Sequence, residues 1–102
     1  MKIALIGYGK MGKAIEEIVL QRDHTAPLKI DINNIDTFTP ENLQQCDVAI
    51  EFTGPHSAVE NILKCLAAGI PVVSGSTGWL EQWPVIKEKC DAVNGALLYS
   101  SN

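Results

Sequence analysis

No excess of positive charge, no long apolar run and no paired cysteines occur in this 102-residue sequence, and each absence closes off a class of function. Eight Lys and Arg face twelve Asp and Glu, for a net charge of -4. The basic residues are scattered, so there is no stripe for a nucleic acid to follow. No apolar stretch is long enough to span a bilayer, so no membrane partner is expected. Cys46, Cys65 and Cys90 stand far apart, with no C-x-x-C pair and no Cys/His grouping at metal-ligand spacing. No metal site is expected. Cys65, beside Leu63 and Leu66 in a helical pattern, reads as a buried structural thiol. The two histidines offer no catalytic pair: His24 falls in a turn-like segment and His56 just ahead of a helix start. No secretory signal precedes the strand that begins at Lys2-Ile3, so a cytoplasmic protein is expected. With 46% hydrophobic and 20% charged residues and no low-complexity linker, the chain suits one folded domain.

What the sequence does have lies at its start. The apolar residues 3–6 lead directly into Gly7-Tyr8-Gly9-Lys10-Met11-Gly12, and an amphipathic stretch follows. This is G-x-G-x-x-G in the order strand, turn, helix, where the three glycines have separate tasks. Gly7 makes the tight turn. Gly9 lets the backbone approach a pyrophosphate. Gly12 lets the helix pack closely on the strand. The helix N-terminus then offers free N–H groups and the positive end of its dipole to phosphate oxygens. A dinucleotide is the expected ligand; a tight βα turn with no ligand is the alternative.

Strand and helix patterns alternate along the rest of the chain. Met11, Ile15, Ile18 and Val19 recur at helical spacing, and this helix should fade near Arg22-Asp23-His24. Residues 28–32 read as the second strand, with Asp31 at its end. Thr39-Pro40-Glu41 reads as N-cap, first helical residue and first-turn acid of a short helix over 40–45. Residues 48–52 read as a buried strand. Ser57 and Glu60 fit a capping box, followed by an apolar face of Val59, Ile62, Leu63, Leu66 and Ala67. Gly69 ends that helix and Pro71 forbids its continuation. Val72-Val73 opens the next strand, and Gly75-Ser76-Thr77-Gly78 is its loop. Pro84 suits the first turn of a last helix reaching about Val93, before a final strand over 96–99. The strands are nearly all apolar, as in a sheet covered on both faces. The expected fold is α/β, a doubly wound parallel sheet of Rossmann type. Its ligands would sit beyond the carboxyl ends of the strands.

Asp31 decides which dinucleotide is expected. It stands roughly 20 residues beyond the glycine loop, where a carboxylate accepts both hydrogens of an adenosine ribose diol. It would repel a 2′-phosphate, and Ile32-Asn33-Asn34 offers no Arg or Lys to neutralise one. NADH is therefore expected to be preferred, with NADPH still possible because Lys10 and Lys13 are near. The alternative is a turn role for Asp31 with Asn33. Trp79 and Trp83 either cover the last helix or, for Trp79 beside the loop, touch the ligand.

The glycine loop, Phe52-Thr53-Gly54-Pro55, Gly75-Ser76-Thr77-Gly78-Trp79 and the terminal Ser101-Asn102 occur together in one order. This combination resembles the amino-terminal cofactor domain of dihydrodipicolinate reductases, enzymes of lysine and diaminopimelate synthesis, over the whole chain. The resemblance implies an NAD(P)H-dependent reductase that transfers hydride to a cyclic imine. It implies that Gly7, Tyr8, Gly9, Lys10, Met11 and Gly12 hold the pyrophosphate and that Asp31 holds the adenosine ribose. Phe52 and Thr53 would line the nicotinamide side. Gly75, Ser76 and Thr77 would touch the nicotinamide, Thr77 also reaching a carboxylate of the dicarboxylate substrate. Ser101 and Asn102 would lie near the carboxamide. Ser76 stands where Thr is usual in that family, and Glu51 where Asp is commoner. Family members continue into a substrate-binding and tetramerisation domain with paired histidines and a lysine, which this sequence does not contain. The chain is thus expected to be the cofactor part of a homotetrameric enzyme, with no catalytic residue of its own. Two other readings stay open: the cofactor domain of another small dehydrogenase, such as an aspartate dehydrogenase-like protein, and a non-catalytic NADH-sensing module.

Overall fold

A computed structural model describes residues 1–100 of the chain. Five parallel strands form one sheet in the order β2-β1-β3-β4-β5. They are β1 (Lys2–Ile6), β2 (Thr25–Ile30), β3 (Val48–Glu51), β4 (Val72–Ser74) and β5 (Leu97–Tyr99). The connecting helices are α1 (Lys10–Gln21), α2 (Pro40–Leu43), α3 (Ala58–Ala67) and α4 (Trp83–Ala92). The expected doubly wound α/β sheet is present.

The sheet separates two cores. On one face, Ile3 and Leu5 pack against Val19 and Ile15 of α1. On the other, Ala4, Ile6 and Ala49 meet Phe38, Leu43, Ile62, Leu66 and Ile86, so α2, α3 and α4 share that side. The α1 face is covered unevenly. Leu5, Ile50, Val73 and Leu98 are successive cross-strand neighbours on it. Exposure rises along that row from 1% at Leu5 to 63% at Leu98.

Local details depart from the sequence patterns in four places. β2 begins at Thr25 rather than at residue 28. Pro27 lies inside it, which is tolerated because β2 is an edge strand, and the β1–β2 register shifts between Lys2 and Ala4. In α1, Met11 and Ile18 point outward, and the packing stripe is Gly12, Ile15 and Val19. In α3, Ala67 is exposed and Cys65 takes a fully buried place. Ser57 does not form the expected capping box. Its backbone is already helical and its side chain accepts no cap hydrogen bond; its own N–H, which Glu60 would meet in a capping box, goes with that of Ala58 to the Gly54 carbonyl. The other terminators act as expected: Thr39 Oγ1 accepts the Asn42 N–H at 3.2 Å, and Gly69 adopts φ +83° after α3.

Candidate functional site

The carboxyl ends of β1, β2 and β3 enclose a cleft of about 560 Å³ where the chain winds away from β1 in both directions. Gly7, Tyr8 and Gly9 form its floor, Asp31, Ile32 and Ile35 one wall, and Phe52, Thr53 and Asn61 the other. Such a switch point is where open α/β sheets bind ligands.

The three loop glycines differ in what surrounds them. Gly7 adopts φ +105°, and a Cβ there would stand 2.2 Å from the Phe52 carbonyl oxygen. A Cβ on Gly12 would stand 2.3 Å from the Gly7 carbonyl oxygen. These two positions need glycine for the fold itself. Gly9 differs: a Cβ there would meet no described atom within 4 Å, so the fold itself does not require glycine and its side faces open space. Gly9 is also the N-cap of α1, whose first turn has no side-chain cap and no acidic residue. The first N–H groups of α1 are thus left for an outside acceptor, beside a backbone that a bulky anion can approach.

Tyr8 is held along α1 rather than over the glycines. Its hydroxyl donates to Glu16 Oε1 at 2.5 Å, and Lys29 Nζ donates to Glu16 Oε2 at 2.9 Å. Hydrogen bonds from Tyr8 and then Lys29 hold the Glu16 carboxyl below its ordinary range, and the bond to Glu16 holds the Tyr8 phenol above its own. Lys10 is exposed at the start of α1, and it lines neither this cleft nor its neighbour.

Asp31 sits just beyond β2, where the sequence spacing places it. Its Oδ1 accepts the Asn33 N–H at 2.7 Å, and its own N–H donates to Asn34 Oδ1 at 2.7 Å. The turn role is therefore real, and the same carboxylate also lines the cleft.

A second hollow of about 240 Å³ adjoins the first through Phe52 and Thr53 and is completed by Met11, Gly54, Gly75, Ser76 and Thr77. Under it lies Glu51, the last residue of β3, fully buried. Ser74 Oγ donates to its Oε1 at 2.7 Å, Ser76 Oγ to its Oε2 at 2.7 Å, and the Thr53 N–H to Oε2 at 2.9 Å. The Thr53 hydroxyl donates to Oε2 as well. Asn61 Nδ2 in turn donates to Thr53 Oγ1 at 3.2 Å. One carboxylate thus joins the ends of β3 and β4. Trp79, 1% exposed, donates its indole N–H to the Ser76 carbonyl at 2.9 Å and packs edge-on against Tyr99. It braces the loop from within the core and is not available to a ligand.

The structure therefore brings Gly7, Tyr8, Gly9, Met11, Asp31, Phe52, Thr53, Gly75, Ser76 and Thr77 around two adjoining hollows. Gly12 supports them from below. Ser101 and Asn102 lie outside the described residues. Glu51 and Asn61 join the site without having been expected there. A carboxylate inside the apolar run 48–52 was the available signal, since a charge on a buried strand requires partners. Neither His24 nor His56 lines either hollow. Among the described residues, no group of three or more His, Cys, Asp and Glu could hold a metal ion, and no helix is long and apolar enough to cross a membrane.

Known proteins resemble this chain in sequence and in fold. A 4-hydroxy-tetrahydrodipicolinate reductase from Christiangramia forsetii is 46% identical over 104 residues, covering all of this chain and 42% of the relative. One from Bifidobacterium animalis subsp. lactis is 34% identical, covering 95% of this chain and 36% of its own length. The chain thus spans well under half the length of these relatives. Among solved structures, a homoserine dehydrogenase from Thiobacillus denitrificans superposes with a TM-score of 0.78 over 97% of this chain and 29% of its own, at 14% identity. That likeness concerns the fold. The family model described as dihydrodipicolinate reductase, N-terminus, matches residues 1–102, and the chain belongs to that family.

Proposed function

We propose that the chain is the pyridine-nucleotide-binding part of an NAD(P)H-dependent reductase acting on the cyclic imine dihydrodipicolinate in lysine and diaminopimelate synthesis. The observation that carries the reading is the surroundings of the glycine loop. Gly7 and Gly12 are closed in by backbone, Gly9 faces open space, and the α1 N-terminus beside it has no protein acceptor among the described residues. That is a cradle shaped for a pyrophosphate.

The residues present fit the rest of a dinucleotide. Asp31 would accept the ribose hydroxyls, its Oδ1 shared with Asn33 and its remaining lone pairs open to the cleft. A 2′-phosphate would face that carboxylate with no neighbouring cation at residues 32–34, which favours NADH. Phe52, Thr53, Gly75 and Ser76 would hold the nicotinamide, and Thr77, exposed at the rim, would meet a substrate carboxylate. A reduced nicotinamide supplies hydride when bound. This chain's residues would orient it, while no acidic or basic side chain lines the second hollow, where the nicotinamide would lie, to give the product its proton. We therefore propose that substrate binding, turnover and assembly into a homotetramer need a further domain, and that the chain alone binds cofactor and reduces little or no substrate. The placement is cytoplasmic on this reading.

The test is a titration with NADH and with NADPH, following energy transfer from Trp79 and Trp83 to the reduced nicotinamide. Saturable NADH binding about tenfold tighter than NADPH binding is expected, a difference of about 1.4 kcal/mol. A folded sample that binds neither overturns the reading.

A further inference from the structure

We infer that Glu51 is a positioning residue that makes the Thr53 and Ser76 hydroxyls hydrogen-bond acceptors toward the ligand, and so selects a donor there, the carboxamide NH2 of a nicotinamide. The inference rests on the pyridine-nucleotide reading of the two hollows.

A hydroxyl has one proton and two lone pairs. The Ser76 proton goes to Glu51 Oε2 at 2.7 Å, and one Ser76 lone pair receives the Thr53 N–H at 2.9 Å. The Thr53 proton also goes to Glu51 Oε2, and one Thr53 lone pair receives the Asn61 amide at 3.2 Å. Each oxygen is left with a single lone pair and no proton to offer. Both residues line the second hollow, Thr53 exposed and Ser76 buried at its edge. The converging groups at Glu51 are all donors, which a carboxylate can satisfy. A glutamine would keep its oxygen where the Thr53 N–H donates and turn its NH2 to Ser74, leaving both hydroxyls as they are. A leucine at position 51, by contrast, offers no acceptor and frees both hydroxyl protons to turn outward. Position 51 therefore sets the hydrogen-bonding polarity of a surface it does not itself reach, being fully buried.

Calorimetric titration of the whole chain with three probes tests this. NADH carries the carboxamide donor. Its reduced 3-acetylpyridine analogue replaces the NH2 with a methyl group. ADP-ribose lacks the ring. The wild-type chain is expected to bind NADH about tenfold more tightly than the acetylpyridine analogue, the worth of about one hydrogen bond. Glu51→Leu is expected to reduce that preference to below about threefold while leaving ADP-ribose affinity unchanged, and Glu51→Asp, which keeps the charge, is expected to retain it. A general loosening of the fold would weaken ADP-ribose as well. Wild-type chain that binds NADH and its analogue equally overturns the inference, as does Glu51→Leu with the preference intact. Should Glu51→Leu not fold, Thr53→Val with Ser76→Ala decides, because that pair removes both acceptor oxygens and leaves Glu51 and the glycine loop in place. Loss of the preference in that variant supports the inference and its retention overturns it. A wild-type chain that binds neither NADH nor ADP-ribose overturns the pyridine-nucleotide reading itself, and this inference with it.

Discussion

The Phe52 ring fills the space that a side chain at Gly75 would require: a Cβ there would stand 2.1 Å from two carbons at the far end of the ring. Those atoms belong to a half-buried side chain that can rotate away. Gly75→Ala should therefore cost the fold little, under about 1 kcal/mol, while driving the ring into the hollows it now borders. Chemical denaturation should show a nearly unchanged midpoint, and NADH titration a Kd raised by about fivefold or more.

The glycine loop makes a sharper forecast, because its members meet different neighbours. Gly7→Ala and Gly12→Ala would each press a methyl group into a backbone carbonyl, at 2.2 and 2.3 Å. Backbone cannot step aside as a ring can, and Gly7 has a positive φ in addition. Each variant should lose about 2 kcal/mol or more in urea unfolding. Gly9→Ala should unfold like the wild type to within about 0.5 kcal/mol and yet bind NADH at least tenfold more weakly. Equal losses of stability in all three would mean that the loop serves the fold alone.

Asp31 holds its own turn as well as facing the cleft, so Asp31→Asn is a better probe than alanine. Asparagine keeps an oxygen for the Asn33 N–H and removes the charge. Hydrogen bonds to a charged group contribute about 1.5–3 kcal/mol, so NADH affinity should fall by about tenfold or more. NADPH affinity should hold or rise, since the repulsion is gone. The ratio of the two dissociation constants is the quantity to measure.

Burial, with a smaller contribution from the nearby Glu51 carboxylate, pushes the Cys65 thiol up to about 12. The native protein therefore holds this proton more tightly than the unfolded chain, whose thiols titrate near the ordinary value of 9.0. Stability linked to Cys65 is fully present below about pH 9 and is lost as pH rises from there toward 12. Urea midpoints should fall between pH 8 and pH 10.5, and the fall should be shallower in Cys65→Ala. At pH 8 a thiol reagent should modify partly exposed Cys90 and leave Cys65 untouched until the protein unfolds.

The parts of this fold legible in the sequence are those set by neighbours in the chain. Residues 3–6 followed by the glycine loop dictate β1, its turn and α1, and Thr39-Pro40 dictates the start of α2, because each signal acts within a turn of itself. The misreadings come from partners brought from elsewhere. Pro27 hid the first half of β2, because only the sheet order reveals that β2 lies at an edge. Ser57 is already helical, and its N–H bonds the Gly54 carbonyl three residues back in place of the Glu60 side chain. Periodicity placed Met11 and Ile18 near the packing stripe of α1 but could not tell which flank meets the sheet. At the candidate site, the glycines and Asp31 announce themselves by spacing. Glu51 does not, since two of its partners, Ser74 and Ser76, come from the end of another strand.

The row from Leu5 to Leu98 also has a dynamic meaning. β1 and the inner side of β3 are sealed above and below, whereas β4 and the edge strand β5 are sealed on one face only. Local opening needs less free energy where less apolar surface must be wetted. The floor of the larger cleft, with its glycine loop, therefore stands on the half of the sheet that costs most to open, while the Ser76 loop stands on the other half and is held by the Glu51 carboxylate and Trp79 where packing is thinner.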